Sequence, residues 1–276
     1  MNRLLLLAHR AFMSVLNKIP YLRLKIGDST GFNIYFPPDS FGALEENILT
    51  KRNVYFNQSS IYDADTIIDL GSHAGSFTIF AILHSKPRAK IIAVEPSEKN
   101  VRFLLANIKI LEDTIREKQL DVHVLKKAVW IKRGSLTLID TGWSEGGYVD
   151  NVMHHHKVTY VDAVTLDDIL DFAMGKIIVK MDIEGAEVPV LASSRSLRKV
   201  TKLAVEAHGN EAMLLKLLKL RGYDPKIIVY KLSPCLFKYW LTVKPRIYSS
   251  IIAVYRLLVA SAFKPTITLV KASRIL

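Results

Sequence analysis

Cysteine is almost absent from this chain. The one cysteine, Cys235, cannot form an intrachain disulfide and leaves no thiolate set for zinc, so a reducing, cytoplasmic compartment is expected. Long uncharged apolar runs are also missing. The best candidate, Ile247 to Phe263, carries Arg256 in its middle and falls short of the ~18 residues of a spanning helix. With Lys244, Arg246 and Lys264 at its ends, that segment reads first as a helix packed on the domain with its basic side wet. Its second reading is a basic amphipathic helix, peripheral on an anionic membrane. The apolar stretch Leu4 to Ala8 stops at His9-Arg10 and no small-residue cleavage site follows, so it reads as an ordinary helix rather than a secretory signal. Repeats and low-complexity tracts are lacking, which excludes solenoid and fibrous classes.

Acidic residues are in deficit. Against 26 Asp and Glu stand 38 Lys and Arg, a net charge of +12. Such an excess points to an anionic partner, whether nucleic acid, acidic lipid or a phosphorylated or carboxylated substrate, without choosing among them. Half of the 276 residues are hydrophobic, enough for one large core.

From about Asp65 the chain alternates β-branched runs with helical patterns, the signature of an α/β fold with a doubly wound, mostly parallel sheet. Thr66 to Asp69, Lys90 to Glu95, Val122 to Leu125, Ile177 to Met181 and Lys202 to Glu206 read as strands. Lys226 to Lys231 and Thr266 to Val270 add an antiparallel pair, making seven. Ser76 to His84 and the segment after Pro96-Ser97, with Val101, Leu104, Leu105, Ile108 and Leu111 at helical spacing, read as helices. Residues 1–64 are expected to cap the site mouth and residues 65–276 to form the main domain. Within that domain lie an insertion over 135–162 and a basic aromatic segment over 235–264. The insertion, with its loop Gly142 to Gly147, is where acceptor contacts are expected, and Trp143 and Tyr148 could stack on a sugar face.

The loop Asp69-Leu70-Gly71-Ser72-His73-Ala74-Gly75 joins the first strand to the first helix, where backbone N–H groups favour nucleotide-like ligands. A dinucleotide fingerprint would need glycines at 71, 73 and 76. Here His73 and Ser76 stand instead, so a pyrophosphate would meet side chains. The charge of Asp69 repels a pyrophosphate and attracts the ammonium and sulfonium of S-adenosyl-L-methionine. Glu95, ending the second strand, is placed to accept both hydroxyls of a ribose.

Five ordered blocks then carry a resemblance: Ile68-Asp69-Leu70-Gly71, Ala93-Val94-Glu95-Pro96, Val164 to Asp168, Lys180-Met181-Asp182-Ile183-Glu184-Gly185-Ala186-Glu187 and Val205-Glu206-Ala207-His208-Gly209. Together they resemble the FkbM family of methyltransferases. The resemblance implies a Rossmann-like class I fold, S-adenosyl-L-methionine as donor, and methyl transfer to a hydroxyl of a sugar or other small metabolite or glycan. It also places backbone groups near Ala128 and Val129 against the adenine. Where the family commonly has Asp-Val-Gly-Ala-Asn-x-Gly, this chain has Ser72 and His73, so an imidazole replaces an amide.

The implied cofactor-binding set is Asp69, Gly71, Ser72, His73, Gly75, Glu95, Ala128 and Asp182. The catalytic candidates are Asp182, Glu184, Glu206 and His208, at strand ends where ligands of open α/β sheets bind. His208 or Asp182 is expected as base, since an imidazole ordinarily titrates near neutrality, with Glu184 and Glu206 orienting the acceptor or the methionine end. Glu184 and Glu187 also read as first-turn carboxylates of the helix after Gly185. His154-His155-His156 lacks ligand spacing. Asp182, Glu206 and His208 could hold a divalent ion, but the expectation is that no metal is bound. An RNA methyltransferase is the next reading, weakened by dispersed basic residues and no base-amino motif, so a nucleic-acid partner is disfavoured. A membrane-surface protein with an inactive site and a dehydrogenase follow.

Overall fold

The computed structural model describes residues 21–26, 32–37, 40, 53–140, 148–149, 157–231 and 266–275. In chain order, β1 (Leu22–Ile26) and β2 (Phe32–Phe36) form an antiparallel pair. Next come α1 (Gln58–Asp63), β3 (Thr66–Leu70), α2 (Ser76–His84), β4 (Lys90–Val94), α3 (Glu98–Ile110), α4 (Glu112–Lys118) and β5 (Asp121–Leu125). The insertion contributes β6 (Ala128–Val129), β7 (Gly134–Asp140), β8 (Tyr148–Val149) and β9 (Lys157–Val164). The chain continues through α5 (Leu166–Leu170), β10 (Ile177–Met181), α6 (Glu187–Ser193), β11 (Val200–Glu206), α7 (Glu211–Leu220), β12 (Tyr223–Lys231) and β13 (Thr266–Arg274).

Seven strands make the main sheet in the order β12-β13-β11-β10-β3-β4-β5. The five from β11 to β5 run parallel, and β13 is antiparallel to both β11 and β12. This is the class I methyltransferase topology, and every expected strand is present with its ends moved by a few residues. The reason lies in burial. All five residues of β3 and of β10 are buried, because helices cover both faces, so each reads as a near-continuous apolar run. Alternate residues serve opposite faces. Ile67 and Ile91 pack with Phe77, Ile79 and Ile82 on one side. Ile68, Ile92 and Val179 pack with Leu191, Leu203 and Leu214 on the other.

The insertion folds into a four-stranded sheet, β6-β9-β7-β8. It is tied to the domain where Thr165 and Asp168 form a reciprocal cap on α5 and Arg133 pairs with Asp168 through two nitrogens. Upstream, β2 is held on α3 by buried Asn107, which accepts from Tyr35 N at 2.8 Å and donates to Tyr35 O at 2.7 Å and Ala74 O at 3.1 Å. The loop 142–147 with Trp143, the histidines 154–156, the amino-terminal helix and the basic segment 235–264 lie outside the described residues. Among the described residues no helix is long and apolar enough to cross a membrane.

Candidate functional site

The chain leaves β3 toward β4 on one side while β10 pairs on the other, so the carboxyl ends of β3 and β10 flank a topological switch point. The glycine-rich loop is built into this edge. Gly71 N and Ser72 N both donate to Val94 O at 3.0 Å, and Gly75 N donates to Ser72 O at 2.8 Å before α2 starts. Gly71 has φ +71, and a Cβ there would sit 1.7 Å from the carbonyl oxygen of Asp182. Only glycine lets the β3 and β10 loops touch. His73 is also left-handed, at φ +51. Asn and His are among the side chains that tolerate this region, which explains how an imidazole stands at that position without breaking the loop.

Glu95 fixes the loop from the end of β4. Its Oε2 accepts from His73 N at 2.9 Å, while its Oε1 accepts from Ser97 N at 3.0 Å and Asn100 Nδ2 at 3.2 Å. Burial pushes its carboxyl above the ordinary value against those three bonds. A carboxylate offers about four acceptor positions. The three bonds take three of them, leaving acceptor capacity on Oε2. Ser72 Oγ is buried beside it with no hydrogen-bond partner among the described residues. Ala128 is buried in β6, paired with Ala163 of β9.

Asp69 differs from its sequence reading. Its side chain is fully buried, accepting from Thr78 Oγ1 at 2.6 Å and lying 3.4 Å from Lys180 Nζ, so its charge faces the protein interior. Burial raises its pKa, with Lys180 opposing. Lys180, in mid-β10, also donates to Gly71 O at 2.6 Å and stands 3.7 Å from Asp182 Oδ2. Sequence reasoning passed over Lys180 as a motif letter, although a lysine inside Ile-Ile-Val-Lys-Met is a visible signal, because buried lysines are kept only when paired.

At the ends of β10 and β11 the four catalytic candidates converge. His208 Nε2 lies 3.8 Å from Asp182 Oδ1 and 3.5 Å from Glu184 Oε2, and its Nδ1 lies 3.1 Å from Glu187 Oε1. Glu187 is fully buried and also accepts from Ile183 N at 3.2 Å and Gly185 N at 3.1 Å, so the first-turn role read from sequence holds for Glu187. Glu184 turns instead toward His208, on a backbone at φ +54.

These contacts reshape the titrations. The Glu187 hydrogen bond outweighs burial and lifts His208 to about 9. This contact favours the protonated imidazole at neutral pH, so His208 differs here from the free imidazole assumed in reading it as a base. Burial, then the charge of Asp182, pushes Glu184 up to about 7. The same two causes raise Glu206 to about 7, opposed by Tyr55, whose hydroxyl donates to Glu206 Oε2 at 2.6 Å. Tyr55 is buried and sits edge-on to Phe77 at 6.0 Å. No pattern around residues 53–57 marked it in advance.

The sequence profile of the methyltransferase FkbM domain matches residues 69–225. No curated protein sequence matches the chain. Similar solved structures include precorrin-6y C5,15-methyltransferase from Geobacter metallireducens, with 11% identity over 83% of this chain and 91% of that one and a TM-score of 0.45. Methyltransferase FkbM from Methylobacillus flagellatus shares 18% identity over 82% of this chain and 56% of that one, at a TM-score of 0.43. An rRNA methylase from Streptococcus thermophilus shares 10% identity over 83% and 99%, at 0.40. The FkbM profile spans more than half of the sequence, runs from Asp69 at the end of the first sheet strand to Pro225 in β12, and takes in the loop, Glu95 and the whole acidic crevice: the chain belongs to the FkbM methyltransferase family.

Proposed function

We propose that this methyltransferase takes its methyl group from S-adenosyl-L-methionine and delivers it to a hydroxyl oxygen of a sugar or small metabolite. The observation that carries the reading is the loop wrapped on Glu95, a buried carboxylate with one acceptor position left, across the same sheet edge from the carboxylates of Asp182, Glu184 and Glu206. The residues fit the donor: Ser72 Oγ is buried without a partner among the described residues. Gly71, Ser72, His73 and Gly75 would hold its amino-acid end with Asp182, Glu95 a ribose hydroxyl, and the backbone at Ala128 its adenine. When bound, the donor supplies an electrophilic methyl group on a sulfonium.

The chain's own residues supply the rest. Glu206 is the base in this reading, because its carboxyl titrates near neutrality and is oriented by Tyr55. His208, held cationic by Glu187, orients Asp182 and Glu184 toward the acceptor. Asp69 acts at one remove, by fixing Lys180 and through it the carbonyl of Gly71.

Calorimetric titration with S-adenosylhomocysteine tests the donor site. Binding by the parent, weakened about tenfold or more in Glu95→Gln while circular dichroism shows the fold retained, is the expected result. Absence of binding by the parent protein would overturn the reading. Screening the protein for S-adenosylhomocysteine release against sugars, small hydroxylated metabolites and RNA then decides the acceptor, and turnover on RNA alone would replace the hydroxyl-metabolite reading.

A further inference from the structure

Among the described residues, the crevice between β10 and β11 holds more carboxylates than cations. Asp182, Glu184, Glu187 and Glu206 lie around His208, while Lys180 is shared between Asp69 at 3.4 Å, the carbonyl of Gly71 at 2.6 Å and Asp182 at 3.7 Å. We propose that Asp182, Glu184 and His208 bind one divalent first-row metal ion of the manganese class, contrary to the expectation from sequence that no metal is bound.

Geometry supports this first. The candidate donor atoms of the three side chains all lie within 4.8 Å of one another, with His208 Nε2 at 3.8 Å from Asp182 and 3.5 Å from Glu184. Two ligands ~2.1 Å from one ion are about 3.0 Å apart when adjacent and about 4.2 Å apart when opposite, so small side-chain rotations close the set around an ion.

The histidine separates this cluster from a plain group of acids. Its Nδ1 is engaged by the buried carboxylate of Glu187, which is itself fixed by Ile183 N, Gly185 N and Asn210 Nδ2. A carboxylate on one ring nitrogen aims the other at a metal, the arrangement that metal-ligating histidines use, and the ion would displace the Nε2 proton that the metal-free imidazolium carries, so its affinity should rise with pH. Here that other nitrogen, Nε2, faces two carboxylates. One imidazole with two carboxylates suits manganese and neighbouring first-row divalent ions, and gives too few oxygens for calcium. The three side chains keep exposures of 24%, 37% and 29%, so an ion can enter and retain open positions. One of those positions would take the acceptor oxygen and ease loss of its proton to Glu206.

The ion's role rests on the methyl-transfer reading, whereas its binding does not, and the experiment separates them. Mn2+ is titrated into the full chain, stripped of divalent ions, and free Mn2+ is followed by electron paramagnetic resonance. One Mn2+ per chain is expected, with affinity falling about tenfold or more in Glu184→Gln and His208→Ala and unchanged in the remote exposed variant Asp171→Asn. Glu184→Gln guards against a folding artefact, since Glu184 is the most exposed of the three. No saturable binding up to about 1 mM, or equal affinity in all variants, would overturn the site and leave His208 as an imidazolium bridging the carboxylates. Each protein is also titrated with S-adenosylhomocysteine: loss of that binding with Mn2+ retained sinks the donor-site reading alone, and the converse sinks only the metal site.

Discussion

Glu187 Oε1 lies 3.1 Å from His208 Nδ1, and this one contact, between the first turn of α6 and the end of β11, decides the charge of the crevice. With Glu187 ionised and buried, the imidazole above it holds its proton through neutrality.

The linkage has a definite sign. His208 titrates at about 9 in the folded chain and near ~6.5 when unfolded, so its contribution to stability is complete below ~6.5 and is lost as pH rises through about 9. Glu187→Gln removes the main cause of the shift. We expect the His208 ring protons, followed by NMR in metal-free protein, to titrate well above 6.5 in the parent and to move down in Glu187→Gln. The variant should lose more stability at pH 6 than at pH 10. An unshifted titration in the parent would show that the Glu187 contact carries no charge.

Tyr55 and Glu206 are 151 residues apart in sequence and 2.6 Å apart in space. Tyr55→Phe keeps the ring packing on Phe77 and removes the donor that holds Glu206 down. The Glu206 carboxyl, already at about 7, should rise further, and stability should fall by about 1.5–3 kcal/mol, the usual cost of losing a hydrogen bond to a charged group. Carbon-13 NMR of the labelled carboxyl checks the first, and urea unfolding the second. A Glu206 pKa that fell in the variant would contradict this account.

What the sequence revealed and what it concealed divide along this line of distance. The strands were legible because a parallel strand buried on both faces must be an apolar run, and Glu95 and Asp182 stand out in the sequence because each directly follows one. Charge states were not. His208 looks like a neutral-range base until Glu187, 21 residues earlier, is placed beneath it. Asp69 looks like an open charge for a cationic ligand until Lys180 and Thr78 close over it. These pairings arise from register between strands and from loops that cross the sheet edge, and a one-dimensional spacing does not encode them.

Lys180 should act as a structural cation. Its side chain is 4% exposed and answers fully buried Asp69, so Lys180→Met strands a carboxylate in the core and should cost about 3–5 kcal/mol. Adding Asp69→Asn removes the stranded charge, and the double variant should regain part of that loss while still loosening the bond to Gly71 O. Urea unfolding of the two single variants and the double completes the cycle. Strict additivity would mean that the two side chains do not answer each other.

Gly71 and Gly75 share a left-handed backbone but meet different neighbours, which makes them a matched pair of tests. An alanine Cβ at 75 would press on the flexible end of Leu104, with Cδ1 at 2.6 Å, and a rotamer change can relieve it. At 71 the Cβ would sit 1.7 Å from the backbone oxygen of Asp182, and relief requires the β3 and β10 loops to part. Both variants carry about 1 kcal/mol or more of left-handed strain. Gly71→Ala alone should also displace Asp182 from the crevice. We therefore expect Gly75→Ala to melt modestly lower and to weaken S-adenosylhomocysteine only partly, with Mn2+ affinity near that of the parent. Gly71→Ala should lose S-adenosylhomocysteine binding and weaken Mn2+ binding together. Equal behaviour of the two would mean that the loop contact with Asp182 does not position the site, and that backbone strain alone accounts for the demand for glycine.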